Sequence, residues 1–401
     1  MADIFPFQGE RPLPGEGGAL VPESVEHAAG GGRSPGAQGR PMLRPGGGGG
    51  PGEFLIYRQE FRSDTGVDKN RVGIVGLLEP EGDPNARIFL LQDTEQALVA
   101  RCTDAIVASG LQENFVVGVV EDTPFQIEKI AEEILARRPV PDIQLVLPGG
   151  ERHQLWRVTG PDSTERIRGL FWGKDCLLLD GLHTYKALRR LRSERKLVEA
   201  RPLTVLYNVF DFGLGLGAAS ILLKGVAHFS INDIALRLSS YFEISTYPFE
   251  GDSALPQALA GFRDDFRVRG FTDNVVGGFF RGVDQFFLFR LREGAERESM
   301  FLPDVKPALQ EFDAVILHHV FLERYLGDLG EGSGSLEYCW SMEEAVSQVR
   351  GGGFQAALFV NAPNRRKLFR LARAQLRLPP GAARVEPPLR RLIVHRVGLR
   401  D

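Results

Sequence analysis

The chain has 401 residues, 43% of them hydrophobic and 25% charged, with a formal net charge of −4. That composition is ordinary for a soluble globular protein with room for one large or two smaller cores. It holds no apolar run of about eighteen residues, so a membrane-spanning helix is not expected. The N-terminus lacks a basic segment followed by an apolar core, so no secretory signal is seen. Cys102, Cys176 and Cys339 are odd in number and far apart. They fit a reducing cytoplasm and offer no disulfide or metal framework.

In chain order, residues 1–53 hold fifteen glycines and eight prolines, including Gly46 through Gly50. They cannot bury a core, so residues 10–52 are expected to be disordered. A strand is expected at Arg71–Leu78, a helix at Thr94–Ser109, a strand at Phe115–Val120 and a helix at Pro124–Arg137. Asp142–Leu147 and Gln154–Val158 alternate like a hairpin around Pro148-Gly149-Gly150. Pro161–Trp172 reads as a short helix.

The richest stretch follows, from Cys176 to Leu188. A short apolar run ends in Asp180-Gly181, and a helical pattern starts at once, with Leu182, Tyr185, Leu188 and Leu191 recurring every three residues. That is a buried strand, a tight turn and a helix. Such a turn aims backbone N–H groups and a positive dipole end at one point, which suits phosphate or carboxylate. His183 in the first turn and Lys186 one turn on can add positive charge. The plainer alternative has Asp180 capping the helix, Gly181 relaxing the turn and His183 simply exposed.

Leu203–Phe210 reads as another buried strand. The Gly213-Leu214-Gly215-Leu216-Gly217-Ala218 run after it, with Asp233 twenty residues past Gly213, imitates a dinucleotide fingerprint. A helix there would have only about two turns, and a glycine-rich turn allowing close backbone packing is the alternative. Ala235–Phe242 reads as a helix, and Asn274–Phe280 with Gln285–Leu291 as a hairpin. The phenylalanines clustered in that hairpin read as sheet core. Asp313–Leu326 is strand or helix. It contains His318-His319, which on a strand would face opposite sides and could not ligate jointly. Met342–Val349 reads as a helix, Phe354–Asn361 as a buried strand, Asn364–Leu376 as a basic amphipathic helix and Leu392–Val397 as a final strand.

Charge is unevenly placed. Residues 365–400 hold eleven basic residues against Glu386 alone, a local charge of +10 on a remainder of −14. A basic end on an acidic body points to an anionic partner or to docking on the body itself. Basic helices near 186–196 and 364–377 invite a nucleic-acid reading. No helix-turn-helix, zinc or RNA-binding signature accompanies them, and the overall pI of about 6.1 argues against that role.

Asp180-Gly181-Leu182-His183-Thr184-Tyr185 resembles the D-G-H-H-R-Y motif of a ParB/sulfiredoxin-like family, domain of unknown function 1015, related to the free L-serine kinases. Ile4-Phe5-Pro6-Phe7-Gln8-Gly9 resembles the family's start. Tyr57-Arg58-Gln59-Glu60-Phe61, Gly73-Ile74-Val75-Gly76-Leu77-Leu78 and His153-Gln154-Leu155-Trp156-Arg157-Val158 resemble its strands. Phe312–His318 and Gln355–Asn361 resemble later strands. The pieces run in order over residues 54–397. The resemblance implies an α/β (α+β) fold. In it a ParB/sulfiredoxin-like mixed sheet over 54–230 follows the Gly/Pro-rich segment 1–53, and an α+β elaboration fills 231–401. It also implies a loop that holds nucleotide phosphates, with ADP or ATP and Mg2+ as cofactors. Asp180 and His183 fall at catalytic positions, and Gly181 and Lys186 at cofactor-binding ones.

The chain departs from that pattern at several points. Leu182 stands where the family has its first His, and Thr184 where it has Arg. Arginine offers a planar, charged fork matched to phosphate; threonine offers one hydroxyl. Lys186 supplies a point charge two residues on, nearly on the opposite helix face. The H-E-x-T segment corresponds to Gln92-Asp93-Thr94-Glu95, where Asp93 or Glu95 can stand in for the Glu. The P-T-H-R segment corresponds to Leu223-Lys224-Gly225-Val226, and the K-S-T-Y-F-x-P-K segment to residues 381–388. Phosphoryl transfer is almost wholly positioning and electrostatic stabilisation, and these losses remove both. The expectation is a relative of the serine kinases with reduced or lost catalysis that keeps nucleotide or phosphate binding. The alternative is a non-catalytic scaffold or a protein that binds an anionic partner. A scaffold role predicts that Leu182, Leu222 and Leu223 fill the pocket.

Overall fold

The computed structural model describes residues 4–5, 54–63, 66–79, 87–158, 160–194, 196, 201–226, 230–326, 335–386 and 388–398. The expectation for residues 10–52 lies outside them. The fold is mixed α/β of the α+β kind. The chain divides into two compact units, Met1–Gly215 with Val385–Asp401, and Leu216–Arg384. Among the described residues no helix is long and apolar enough to cross a membrane.

The first unit contains β1 (Ile4–Phe5), β2 (Phe54–Arg62), β3 (Asp68–Leu78), β4 (Ile88–Leu90), α1 (Gln96–Ser109), β5 (Leu111–Gln112), β6 (Val116–Val120) and α2 (Gln126–Arg137). It continues with β7 (Ile143–Val146), β8 (Arg152–Val158), α3 (Pro161–Phe171), β9 (Cys176–Asp180), α4 (Leu182–Ser193) and β10 (Leu203–Asn208). Eight strands run in the order β4-β9-β6-β10-β3-β2-β8-β7, and β1 adds to β3 with Ile4 opposite Leu78. β4 with β9 and β6 with β10 are parallel; the other pairs are antiparallel.

Period-two alternation gives this sheet two different faces. Phe54, Ile56, Ile74, Trp156 and Val158 pack against Ile127 and Ile130 of α2 and Ile167 and Phe171 of α3. Each such side chain contributes roughly 1.5–3 kcal/mol through burial. The opposite face carries Tyr57, Gln59, Arg71 and Tyr207. α1 and α4 meet through Ile106, Ala187, Leu188 and Leu191, and Val397 joins them.

The second unit is a six-stranded antiparallel sheet ordered Phe242–Pro248, Gln285–Leu291, Val275–Phe280, Ala356–Val360, Ser220–Lys224, Ser335–Cys339. Helices Gly251–Gly270 and Met342–Arg350 cover one face through Leu259, Phe262, Phe266, Val346 and Val349. The aromatic hairpin is sheet core, as its pattern indicated: Phe286 stacks on Phe262 with centroids 5.0 Å apart.

Several elements differ from expectation. The helix placed at Ala235–Phe242 is Ile231–Leu238, and Phe242 instead opens an edge strand. Helix Gly251–Gly270 had no counterpart in the sequence reading. Asp313–Leu326 is helical throughout, so His318 and His319 are successive helix residues. The last segment has only the two-residue strand His395–Arg396, paired with Gln112 and Leu111 of β5.

Candidate functional site

β9 delivers Asp180 to the edge of the sheet, and Gly181 is the N-cap of α4 with φ 69° and ψ 21°. A Cβ on Gly181 would stand 2.8 Å from the Phe115 carbonyl oxygen and 2.9 Å from the Val116 Cα. Only glycine allows that approach in a left-handed conformation. Asp180 Oδ1 accepts a hydrogen bond from the Gly181 N–H at 2.7 Å, and Tyr185 N–H donates to the Gly181 carbonyl at 2.9 Å. As the N-cap of α4, Gly181 has no side chain with which to cap it. Gly181, not Asp180, is therefore the cap residue, and Asp180 fixes the entering turn. His183 is buried, at 9% exposure, which removes the reading that has it simply exposed. Thr184 is buried and Lys186 half-buried.

The pairing of β4 with β9 adds what spacing along the chain could not show. The strands are parallel, with Leu90 opposite Leu178, and Leu91 N–H donates to the Leu178 carbonyl at 3.1 Å. The chain leaving β4 therefore runs through Gln92–Glu95 into α1 at the same end of the sheet where β9 turns into α4. Two strand-to-helix turns open side by side, and the N-cap of α1, Glu95, likewise makes no side-chain capping bond. Ligands favour the carboxyl ends of parallel strands for this reason. Asp93 and Glu95 are exposed there. With Asp180 they make the opening acidic, so a phosphate would need a cation between them.

Mg2+ binding normally uses one or two carboxylates plus phosphate oxygens. Asp180 fits that role with a nucleotide. Among the described residues no group of three His, Cys, Asp or Glu could hold a metal unaided. His319 Nδ1 bonds Glu323 Oε2 at 2.6 Å, and burial pushes His318 down to about 4.

Leu182 belongs to the first unit's core, and Leu222 to the second's. Lys224, in the counterpart of P-T-H-R, pairs with Glu337. The Gly213 run is a close-packing turn: a Cβ there would sit 1.9 Å from the Asn70 carbonyl oxygen, and strand Ser220–Lys224 follows instead of a dinucleotide-type helix.

The other parallel pair, β6 with β10, ends in a cluster the sequence reading passed over. Asp122, fully buried, accepts from Ile127 N–H and from Lys174 Nζ, both at 2.9 Å. Asn208 Nδ2 donates to the Asp122 carbonyl at 2.9 Å and to Glu128 Oε1 at 3.2 Å. Burial raises Glu128 above the usual carboxylate range. This cluster caps α2 and fills its own end of the sheet.

The fold is mixed α/β, and its parallel strands β4 and β9 lead side by side into the N-termini of α1 and α4. Residues 51–302 match the family described as protein of unknown function, DUF1015, and the chain belongs to it. No curated protein matches. Among solved structures, a mutant free serine kinase in complex with AMP is similar at 14% identity over 78% of this chain and 89% of that one, with a TM-score of 0.40. A conserved hypothetical protein from Pyrococcus furiosus gives 13% over 76% and 88%, TM-score 0.37. SbnI from Staphylococcus aureus, truncated at its C-terminus, gives 8% over 79% and 84%, TM-score 0.37.

Proposed function

We propose that this chain is a divergent relative of the free serine kinases, with a ParB/sulfiredoxin-like first unit, that binds a nucleotide or phosphate weakly and has reduced or lost phosphotransfer. The observation that carries the binding half is the pair of helix N-termini, α1 and α4, whose N-cap residues make no side-chain capping bond, opening at one end of parallel strands β4 and β9. Backbone N–H groups there favour an anion. Asp180 would hold Mg2+, which would neutralise phosphate charge, Gly181 and Lys186 would hold the nucleotide, and His183 stands in the first turn as the remaining candidate proton carrier.

The catalytic half is weakened residue by residue. Thr184, buried, brings no charge to a position where a guanidinium would grip phosphate. Leu182 is committed to the core.

Calorimetric titration of ADP tests the reading. Binding near about 1 mM or tighter is expected, strengthened by Mg2+, with the strengthening absent in Asp180→Ala. Phosphoserine formation should stay far below the roughly 1–10 per second of an ordinary enzyme. No heat at millimolar ADP with Mg2+ would leave the scaffold reading, in which the turn is only structural.

A further inference from the structure

The second unit holds a cavity of about 110 Å³ where strands Val275–Phe280 and Ala356–Val360 meet the start of the helical stretch at Asp313. Its rim is exposed at Phe271, Thr272 and Asn364. That is room for about four water molecules. Asp313 lines the cavity and is half-buried. Its Oδ1 accepts from Asn274 Nδ2 at 2.7 Å. The Val275 N–H, the Asn361 N–H and the Asn361 side chain also donate to the carboxyl.

The two amides are pinned in that orientation. Asn274 Oδ1 accepts from Arg297 at 2.8 Å, so its NH2 group is turned to Asp313 and to the Glu311 carbonyl. Asn361 Nδ2 reaches the Phe266 carbonyl at 3.3 Å and lies where a Cβ on Gly270 would come within 2.2 Å of it. Gly270 thus makes room for the amide. Asn361 Oδ1 is turned away from these acceptors, and among the described residues it accepts no hydrogen bond.

Neutral donors surround Asp313, but among the described residues no cationic side chain pairs with it. The nearby cations are held by other carboxylates. Lys367 and Arg370 meet Glu311 at 2.8 Å, and Arg290 bridges Glu243 and Asp273. Burial therefore keeps the Asp313 carboxyl up at about 7, although every hydrogen bond it receives favours the charged form. A carboxylate so rich in N–H donors and without a counter-charge is completed by a cation in the cavity. The donor set does not suit a metal: no group of three His, Cys, Asp or Glu among the described residues could hold one. An ammonium needs only acceptors for its three N–H groups, and the carboxylates of Asp313 and Glu311 and the Asn361 oxygen line the same cavity.

We infer that this cavity is a binding site for a small organic ammonium ion, a primary amine of about four non-hydrogen atoms that pairs with Asp313. The site lies wholly within the second unit and does not depend on the turn at Asp180.

Ligand-observed proton NMR on the full chain, without nucleotide, tests this. Ethanolamine is the probe, and ethylene glycol is a neutral molecule of the same size. At about pH 8, above the carboxyl's value of about 7, the ethanolamine methylene signals should broaden with a dissociation constant of about 1–10 mM. Those of ethylene glycol should stay sharp. Asp313→Asn keeps the shape of the side chain and removes its charge, so affinity should fall by about tenfold or more while near-ultraviolet circular dichroism stays that of wild type. The contrast between the two probes on wild type needs no variant to fold. Equal broadening of both probes would overturn the inference, as would wild-type affinity in Asp313→Asn. So would sharp ethanolamine signals up to about 50 mM, which would leave the cavity to water.

Discussion

At Gly181 the chain needs both a positive φ and the absence of a Cβ, because the Phe115 carbonyl fills the space a side chain would take. Gly181→Ala should therefore cost about 1–3 kcal/mol in urea unfolding, more than alanine costs at an open turn glycine such as Gly282. A second residue-scale test lies in the second unit. Asp313 sits at the end of the sheet beside a cavity of about 110 Å³ lined also by Asn274, Asn361 and Lys367. Burial raises its carboxyl to about 7, against hydrogen bonds from Asn274, the Val275 N–H and Asn361 that favour the charged form. A raised carboxyl pKa means the folded state holds a proton that the unfolded chain releases near pH 4. The resulting stability is complete below that value and is lost as pH rises through about 7. Wild type should lose up to about 4 kcal/mol between about pH 4 and pH 8 from this group, and Asp313→Asn should lack that component. The strand, turn and helix that carry Asp180, Gly181 and His183 were legible because their signals are contiguous there. Asp313 and its partners Asn274 and Asn361 were not, since tertiary packing alone gathers them.

Elements were legible where burial and period agree. β3, β6, α2 and the strand Val275–Phe280 all fall within a residue or three of their apolar patterns. Helix Gly251–Gly270 was missed because its local chemistry points the other way: it carries Pro256, which lacks an N–H and disfavours the turn before it. What holds that helix is the sheet beneath. Phe262 is fully buried, stacks on Phe266 and Phe286 at 5.6 and 5.0 Å, and lies under Gly277, where a Cβ would come within 2.7 Å of its ring. Phe262→Ala should cost about 3–5 kcal/mol, measurable as a lowered urea midpoint. Replacing Gly277 with alanine should destabilise by overpacking against the same ring, about 1–3 kcal/mol. In the edge strand Phe242–Pro248, Phe242 reads as the end of a helix and the rest as no element, because the half-buried pattern lacks a clean alternation.

At the scale of the whole molecule, the uneven charge finds partners within each unit. In the second, Lys367 and Arg370 both pair with Glu311 at 2.8 Å. In the first, Arg391 pairs with Glu113 at 2.9 Å and Arg390 donates to Asn114 at 2.7 Å. Docking of the basic end onto its own body thus accounts for several of these charges without an anionic partner. It also means that the first unit is discontinuous in sequence, a property no local pattern can show. Leu389, Leu392, Ile393, Val394 and Val397 are all buried, and Val397 N–H donates to the Gly110 carbonyl at 3.0 Å. A fragment ending at Gly215 would lose this apolar cover, at roughly 1.5–3 kcal/mol per side chain, a sum comparable to the whole stability of an ordinary domain. The second unit, Leu216–Arg384, keeps its sheet, its two covering helices and its aromatic core within one continuous stretch. Fragment 216–384 should therefore show cooperative thermal unfolding and near-ultraviolet circular dichroism by itself. Fragment 1–215 should show neither until a peptide spanning 385–401 is added. Cooperative unfolding of 1–215 alone would mean that segment 385–401 is cover the first unit can lose, and that its buried residues contribute far less than their area implies.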